Sequence, residues 1–138
     1  IIPPAKNYVP YRDYLGSHLE VMDIETGHRK ILHSAPNSLQ APNWTPDNKY
    51  LIFNSLTPGE NLLYKYDLKD GAISKVNTGF ANQNNNAHVL SFDGKMLAIS
   101  NHVGPKRTST IFMLPVTGSD NPTKITSEEN GHSYLHSW

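Results

Sequence analysis

The chain consists of short apolar segments separated by turn residues, and three pairs of these segments have the form of a β-hairpin. Residues 18–24 alternate between apolar and polar side chains, a turn follows at residues 25–27, and residues 29–33 return. The same arrangement recurs at residues 62–68 with 73–76, and at residues 110–116 with 123–126. None of these segments has the apolar periodicity of a helix of useful length. The pattern therefore predicts an all-β chain built from repeated hairpins.

A longer motif precedes two of these hairpins. In residues 44–53, apolar Trp44 ends one extended segment that is expected to be a core strand, a turn follows, and a segment rich in aromatic and branched side chains begins at Tyr50. Pro46 suits the second position of a type I turn, and Asn48 tolerates the left-handed backbone that closes such a hairpin. Forty-six residues later the motif returns in the same register, with Gly94 at the position of Asn48. A shared left-handed backbone predicts this exchange.

Together, the motifs and hairpins predict units of four short strands, A to D. In the first complete unit, strand A ends at Trp44, and strands B, C and D cover residues 49–55, 62–68 and 73–76. Four short strands per period of 40 to 50 residues are typical of a β-propeller blade. The predicted layout is a lead-in at residues 1–17 and a partial propeller at residues 18–138. Its blades cover residues 18–33 (strands C and D), 40–77, 86–127 and 132–138 (the start of a fourth blade).

Residues 42–49, Pro-Asn-Trp-Thr-Pro-Asp-Asn-Lys, and residues 63–68, Leu-Tyr-Lys-Tyr-Asp-Leu, resemble the WD40-like repeat of TolB-type propellers. The consensus of that repeat is P-x-W-S-P-D-G-K followed by I-Y-x-x-D-L. The resemblance covers about residues 18–138 and implies a β-propeller of four-stranded antiparallel blades. Propellers of this kind serve as docking surfaces in the periplasmic Tol system, as scaffolds of sugar-processing lyases and as gates before peptidase domains. The resemblance is therefore specific for the fold and leaves several functions open.

The repeats amount to about two and a half to three blades, fewer than the four that the smallest propellers need for closure. We therefore expect the chain to be an incomplete portion of a six-bladed propeller. An open array leaves apolar faces and strand edges exposed. The remaining blades of a longer chain, or self-association, are expected to cover them.

Composition excludes several classes of partner and chemistry. Lys plus Arg and Asp plus Glu are both 12, so no net charge directs the protein to nucleic acid or to an anionic membrane. Cysteine is absent, which excludes disulfides and thiolate chemistry. The longest apolar runs are far shorter than a membrane-spanning helix, and residues 1–4 lack the pattern of a signal peptide. We expect a soluble bacterial protein, and the composition leaves its compartment open between periplasm and cytoplasm.

Two histidines occupy the same place in successive units. His88 and His136 stand two residues before Leu90 and Trp138, the positions equivalent to Trp44. Because strand A lines the channel of a propeller, we expect both imidazoles to point into one space at the channel mouth. Asn85 and Asn86 add carboxamides to the same strand. The candidate ligand-binding residues are therefore His88, His136, Asn85 and Asn86, and the alternative is that both histidines are only hydrogen-bonded channel liners.

The functional prediction is a binding module that meets a small polar, sugar-like ligand or a protein partner at the channel mouth. The alternative is a propeller-scaffold enzyme acting on oligosaccharides, a metal-dependent lyase or hydrolase, in which both histidines help to form a metal centre. No cofactor is predicted, no catalytic residue is identified, and a divalent metal enters only with the enzyme alternative. Asp47 and Asp93 occupy equivalent turn positions in different units, so they are predicted to be turn residues and not a catalytic pair.

Overall fold

The computed structural model describes residues 7–9 and 15–138, in which the regular structure is ten β-strands and one short 3-10 helix. Most of the predicted lead-in at residues 1–17 lies outside the described residues. The chain divides into two compact units, one up to Leu39 and the other Gln40–Trp138.

The first unit contains an antiparallel hairpin of β1 (Ser17–Met22) and β2 (Arg29–Ala35). Its turn is held by Asp23, whose Oδ1 accepts hydrogen bonds from the backbone N–H groups of Glu25 and Thr26, both at 2.9 Å. These bonds, led by the one from Thr26, lower the pKa of the Asp23 carboxyl. Gly27 closes the turn with a φ of 71°. The hairpin thus forms where turn residues separate two alternating segments.

Two four-stranded sheets follow, and in each the strands pair in chain order. The first consists of β3 (Ser38–Trp44), β4 (Tyr50–Thr57), β5 (Glu60–Asp67) and β6 (Ile73–Lys75). The second consists of β7 (Asn84–Leu90), β8 (Met96–Val103), β9 (Thr108–Pro115) and β10 (Thr123–Lys124). The predicted all-β class and the antiparallel four-stranded sheets are confirmed.

The core of this unit joins side chains from the middle strands of both sheets with Val76 and Ala81 from the segment between β6 and β7. Burial of each large aliphatic or aromatic side chain contributes roughly 1.5–3 kcal/mol, so packing of one sheet on the other supplies most of the stability of this unit. The buried cluster consists of Ile52, Leu63, Val76, Ala81, Leu97, Ile99, Phe112 and Leu114.

The turns between the first two strands of each sheet have the conformation that the repeated motif predicts. Asn48 and Gly94 have φ values of 55° and 68°, and their N–H groups donate to the carbonyl oxygens of Thr45 and Ser91, both at 2.9 Å. The hydroxyl of Thr45 donates to Asp47 Oδ1 at 2.6 Å, which lowers the pKa of that carboxyl. Ser91 and Asp93 repeat the contact at 2.7 Å. Both aspartates are turn residues, as predicted.

Two features differ from the sequence-based expectation. Trp44, expected in a core strand, is 52% exposed, because it lies at the end of β3 beside the turn. Residues 132–138, expected to begin another A strand, contain no assigned strand, and the 3-10 helix Glu128–Asn130 precedes them. Their backbone is tied to β9 through the Ser133 N–H and the Ser109 carbonyl at 2.8 Å. Among the described residues, no strand pairs with residues 132–138 to form a further sheet.

Candidate functional site

His88 lies between the two sheets and does not face an open channel. Its side chain is 3% exposed. Its Nδ1 lies 2.9 Å from Asn54 Oδ1 and its Nε2 lies 3.3 Å from the carbonyl oxygen of Ile52, both on β4. Burial lowers the pKa of the imidazole to about 4, although the Ile52 carbonyl acts in the opposite direction. His88 is therefore an interior residue, and because both of its partners are acceptors, a neutral ring can donate to only one of them.

His136 has a different environment from His88. It is exposed and belongs to the segment that contains no assigned strand. The equal offsets from Leu90 and Trp138 predicted a common space for the two imidazoles, whereas the structure gives one of them a buried and the other an exposed environment. Around His88, β7 pairs with β8 and contacts β4 and β5, whereas residues 132–138 contain no assigned strand and are tied to β9 through Ser133.

The hydrogen bonds around His88 also fix the start of β7. The amide of Asn54 donates to the carbonyl oxygen of Asn85 at 2.9 Å and to Asn61 Oδ1 at 3.3 Å. A bulge interrupts the register of β7 between Asn84 and His88. Bulges redirect side chains and are frequent next to functional sites. Here the bulge turns the asparagine run away from regular sheet pairing.

An open pocket of about 510 Å³ lies at this end of the two sheets. It is bordered by the start of β7, by the turn between β4 and β5, and by the turn between β8 and β9. Asn and Gln are the most frequent residues in the lining of this pocket, and their carboxamide groups can both donate and accept hydrogen bonds. The six carboxamides in its lining are Gln40, Asn61, Gln83, Asn84, Asn85 and Asn86.

Asn84 is the most deeply buried of these six residues, at 2% exposed. Its Nδ2 donates to the carbonyl oxygens of Ala81 at 2.9 Å and Asn61 at 3.1 Å. Because both partners are acceptors, the amide cannot be reversed without losing both bonds. Its Oδ1 is then left as a buried acceptor with no partner among the described residues. A buried polar atom without a partner costs about 1–3 kcal/mol, so this oxygen is an unpaired acceptor in a residue that lines the pocket.

The two predicted asparagines of the run contribute differently. Both polar atoms of the Asn85 side chain have partners within the chain, since Nδ2 donates to Ser109 Oγ at 2.9 Å and Oδ1 accepts from the Ala87 N–H at 2.8 Å. Asn86 is exposed, and its side chain has no hydrogen-bond partner among the described residues. Both line the pocket. Asn86 can therefore turn toward a ligand, whereas Asn85 shapes the wall.

Gln83 connects the two turns that border the pocket. Its Nε2 donates to the carbonyl oxygen of Gly59 at 2.6 Å, and its Oε1 accepts from Arg107 Nη1 at 3.4 Å. Its backbone accepts from the His102 N–H at 2.9 Å. His102 Nδ1 in turn donates to the carbonyl oxygen of Arg107 at 2.9 Å. The width of the pocket is thus set by hydrogen bonds and not by apolar packing.

Unfavourable backbone conformations occur at two places beside this pocket. Arg107 in the lining and Ala41, next to Gln40, both have a φ of 50°. Non-glycine residues rarely adopt this region, and such strain is found most often at binding and active sites. It supports the assignment of the pocket as the candidate site.

Ten of the twelve lining residues are outside the site predicted from the sequence, and among them are Gln40, Gln83, Asn84 and Arg107. These four residues lie in strand β3, at residues 83–84 and in the turn between β8 and β9. No signal in the sequence places these segments together, because they come from different sheets. Their positions around the pocket depend on the bulge in β7 and on the register of each sheet, which only the folded structure gives.

The part of the chain that the structure describes contains no group of three His, Cys, Asp or Glu side chains that could hold a metal ion. The metal centre of the enzyme alternative therefore has no set of ligands there. Within the same residues, no helix is long and apolar enough to cross a membrane.

Several proteins of known sequence or structure are similar to this chain, although no family model matches it. The uncharacterized protein Atu1656 of Agrobacterium fabrum is 42% identical over 123 residues, which are 88% of this chain and 39% of that protein. The Tol-Pal system protein TolB of Francisella tularensis is 23% identical over 107 residues, or 76% of this chain and 24% of the relative. The chain thus spans well under half of the length of these relatives.

Two solved structures have the same arrangement of strands. A protein of Agrobacterium tumefaciens assigned to TolB aligns with a TM-score of 0.69 and 42% identity, over 78% of this chain and 37% of its own. TolB from Acinetobacter baumannii aligns with a TM-score of 0.67 and 22% identity, over 80% of this chain and 27% of its own. The resemblance inferred from the repeated turn motif is therefore confirmed, and this chain has a TolB-like β-propeller fold.

Proposed function

We propose that this chain is a binding module whose carboxamide-lined pocket holds a small polyhydroxylated, sugar-like ligand. The observation that carries the proposal is the unpartnered Oδ1 of Asn84, 2% exposed, in the lining of that pocket. A TolB-like fold is that of a propeller binding or scaffold module. The identity of the ligand and the place where it binds are the proposed part.

The chemistry of the lining favours a ligand with many hydroxyl groups. A hydroxyl group both donates and accepts hydrogen bonds, and so does a carboxamide. A ligand hydroxyl would give Asn84 Oδ1 the donor that the chain does not supply, while the exposed amide of Asn86 offers both functions at the rim. The charged groups in the lining are Glu60 and Arg107, one of each sign. Hydrogen bonding therefore dominates recognition, as it does for sugars.

Binding is tested by following the backbone amide signals of isotope-labelled protein during titration with glucose at millimolar concentrations. We expect signals of residues 57–61 and 83–86 to shift together and to saturate. Asn86→Ala should weaken binding severalfold, because it removes a carboxamide from the rim.

Asn82→Ala is the matched control, since Asn82 is an exposed asparagine of the same run that does not line the pocket. It should leave the affinity unchanged. Shifts that fail to saturate, or that fall on residues remote from the pocket, would contradict the proposal.

A second candidate function, binding of a protein surface, is favoured by three exposed aromatic side chains. Trp44, Phe92 and Trp138 are 52%, 87% and 42% exposed and line one open surface pocket together. Exposed apolar patches of this kind mark protein interfaces, and tryptophan is prominent among residues that dominate binding energy. A second copy of this chain is the partner that can be tested directly.

Sedimentation velocity over a range of concentrations measures this association. We expect the wild-type chain to self-associate and Phe92→Ser to weaken the association. Tyr134→Ser, which changes another exposed aromatic residue outside that pocket, is the control. A wild-type chain that stays monomeric would remove this second candidate.

A further inference from the structure

We propose that Arg107 makes the carboxamide-lined pocket selective for hydroxylated ligands that carry a carboxylate. This inference rests on the proposed function and specifies the ligand class of the same site. It concerns a residue that is not among the site residues predicted from the sequence.

The guanidinium of Arg107 is available for an anion. Its Nη1 donates to a neutral acceptor, Gln83 Oε1, at the long distance of 3.4 Å. Among the described residues it takes part in no ion pair. A guanidinium carries five N–H donors in a planar fork that matches the two oxygens of a carboxylate. Most of these donors therefore remain free beside the pocket.

The backbone presents this side chain at some energetic cost. Arg107 has a φ of 50°, whereas the turn between β4 and β5 has Gly59, with a φ of 87°, in a left-handed position. Glycine adopts such a backbone freely, and other residues do so with strain. The Arg107 N–H donates to the Gly104 carbonyl at 3.0 Å, and its own carbonyl accepts from His102 Nδ1 at 2.9 Å. The turn between β8 and β9 therefore has an arginine at a position where glycine would make the fold more stable.

The opposite charge in the lining orients the ligand. Glu60 is exposed and lies in the turn between β4 and β5. Its carboxylate would repel a ligand carboxylate and attract ligand hydroxyl donors. Asn84 Oδ1 also requires a donor. The arrangement therefore fits a ligand with its carboxylate at Arg107 and its hydroxyl groups toward Asn84 and Glu60.

The test compares glucuronate with glucose, which differ only by a carboxylate in place of one hydroxymethyl group, in amide-signal titrations at pH 7 and low salt. We expect the wild-type chain to bind glucuronate about tenfold more tightly than glucose, as a charge-assisted hydrogen-bonded pair provides. Arg107→Gln should abolish the preference for glucuronate over glucose. Lys106→Gln, which removes the adjacent cation outside the pocket lining, should retain it.

Arg107→Gly tests whether a lost preference for glucuronate could instead result from misfolding. It removes the same guanidinium while relieving the left-handed backbone, so it should melt at or above the wild-type temperature and still lose the preference. Equal affinities for the two sugars in the wild type, or a preference that survives in both Arg107 variants, would overturn this inference and leave the proposed function standing. Binding of neither sugar would overturn the proposed function itself.

Discussion

Protonation of His88 should destabilise the folded protein as the pH falls below neutrality. Burial lowers the pKa of His88 from 6.5 to about 4. Between these two values the unfolded chain binds a proton that the folded protein excludes, so unfolding becomes more favourable as the pH falls. The stability contributed by the neutral ring is therefore complete above about pH 6.5 and is lost progressively toward about pH 4.

The size of the effect follows from that difference in pKa. The interval between 6.5 and about 4 corresponds to about 3 kcal/mol at roughly 1.36 kcal/mol per pKa unit. About 2 kcal/mol of this should already be lost at about pH 5. The carboxyls whose pKa is lowered, Asp23, Asp47, Asp93 and Glu128, start from 3.8 or 4.5. Their hydrogen bonds are lost mainly at lower pH, so the change between about pH 7 and pH 5 reports chiefly on His88.

Urea unfolding followed by circular dichroism at several pH values measures this change. The wild-type free energy of unfolding should fall by about 2 kcal/mol between about pH 7 and pH 5. His88→Gln should be less stable at neutral pH, because the ring and its contacts are lost, but its stability should depend less on pH. His136→Gln removes an exposed imidazole at the equivalent sequence offset and should keep the wild-type slope.

The reasoning would be refuted by a wild-type free energy of unfolding that stays level over this range. It would also be refuted by a His88→Gln variant with the same pH dependence as the wild type. The first result would mean that folding does not lower the pKa of His88, and the second that other groups carry the pH dependence.

Two further predictions concern the turns. Asn48→Gly should raise stability by up to about 1 kcal/mol because its φ is 55°, whereas Gly94→Ala should lower stability, since its new Cβ would also lie 3.0 Å from Pro46 Cδ. Melting temperatures check both, and a destabilised Asn48→Gly would contradict the shared conformation. Gly79→Ala should destabilise more strongly, because its Cβ would lie 2.0 Å from the carbonyl oxygen of Asp120, while Gly104→Ala, with a φ of 67° and nothing within 4 Å, reports the backbone effect alone. A Gly79→Ala loss no larger than that of Gly104→Ala would show that Asp120 moves aside.

Local features of this protein could be predicted from the sequence because short-range physics determines them. The left-handed turn at Asn48 and Gly94 follows from the conformational preferences of those residues and from the hydroxyl and carboxylate that flank them. The strands follow from branched and aromatic side chains between such turns. The recurrence of both at one period predicts a β-propeller, because each repeat can bury its faces only against its neighbours.

The candidate site depended on tertiary structure, because its residues belong to different sheets. Equal offsets along the chain suggested equal environments for His88 and His136, yet burial depends on the strands that surround each residue. The unpartnered acceptor of Asn84 arises from the bulge in β7 and from carbonyl groups of Ala81 and Asn61 that only the folded chain brings to it. Arg107 reaches the same pocket because the register of the second sheet places its turn there. Sequence periodicity therefore determined the scaffold, and the packing of one sheet on the next determined which polar groups converge.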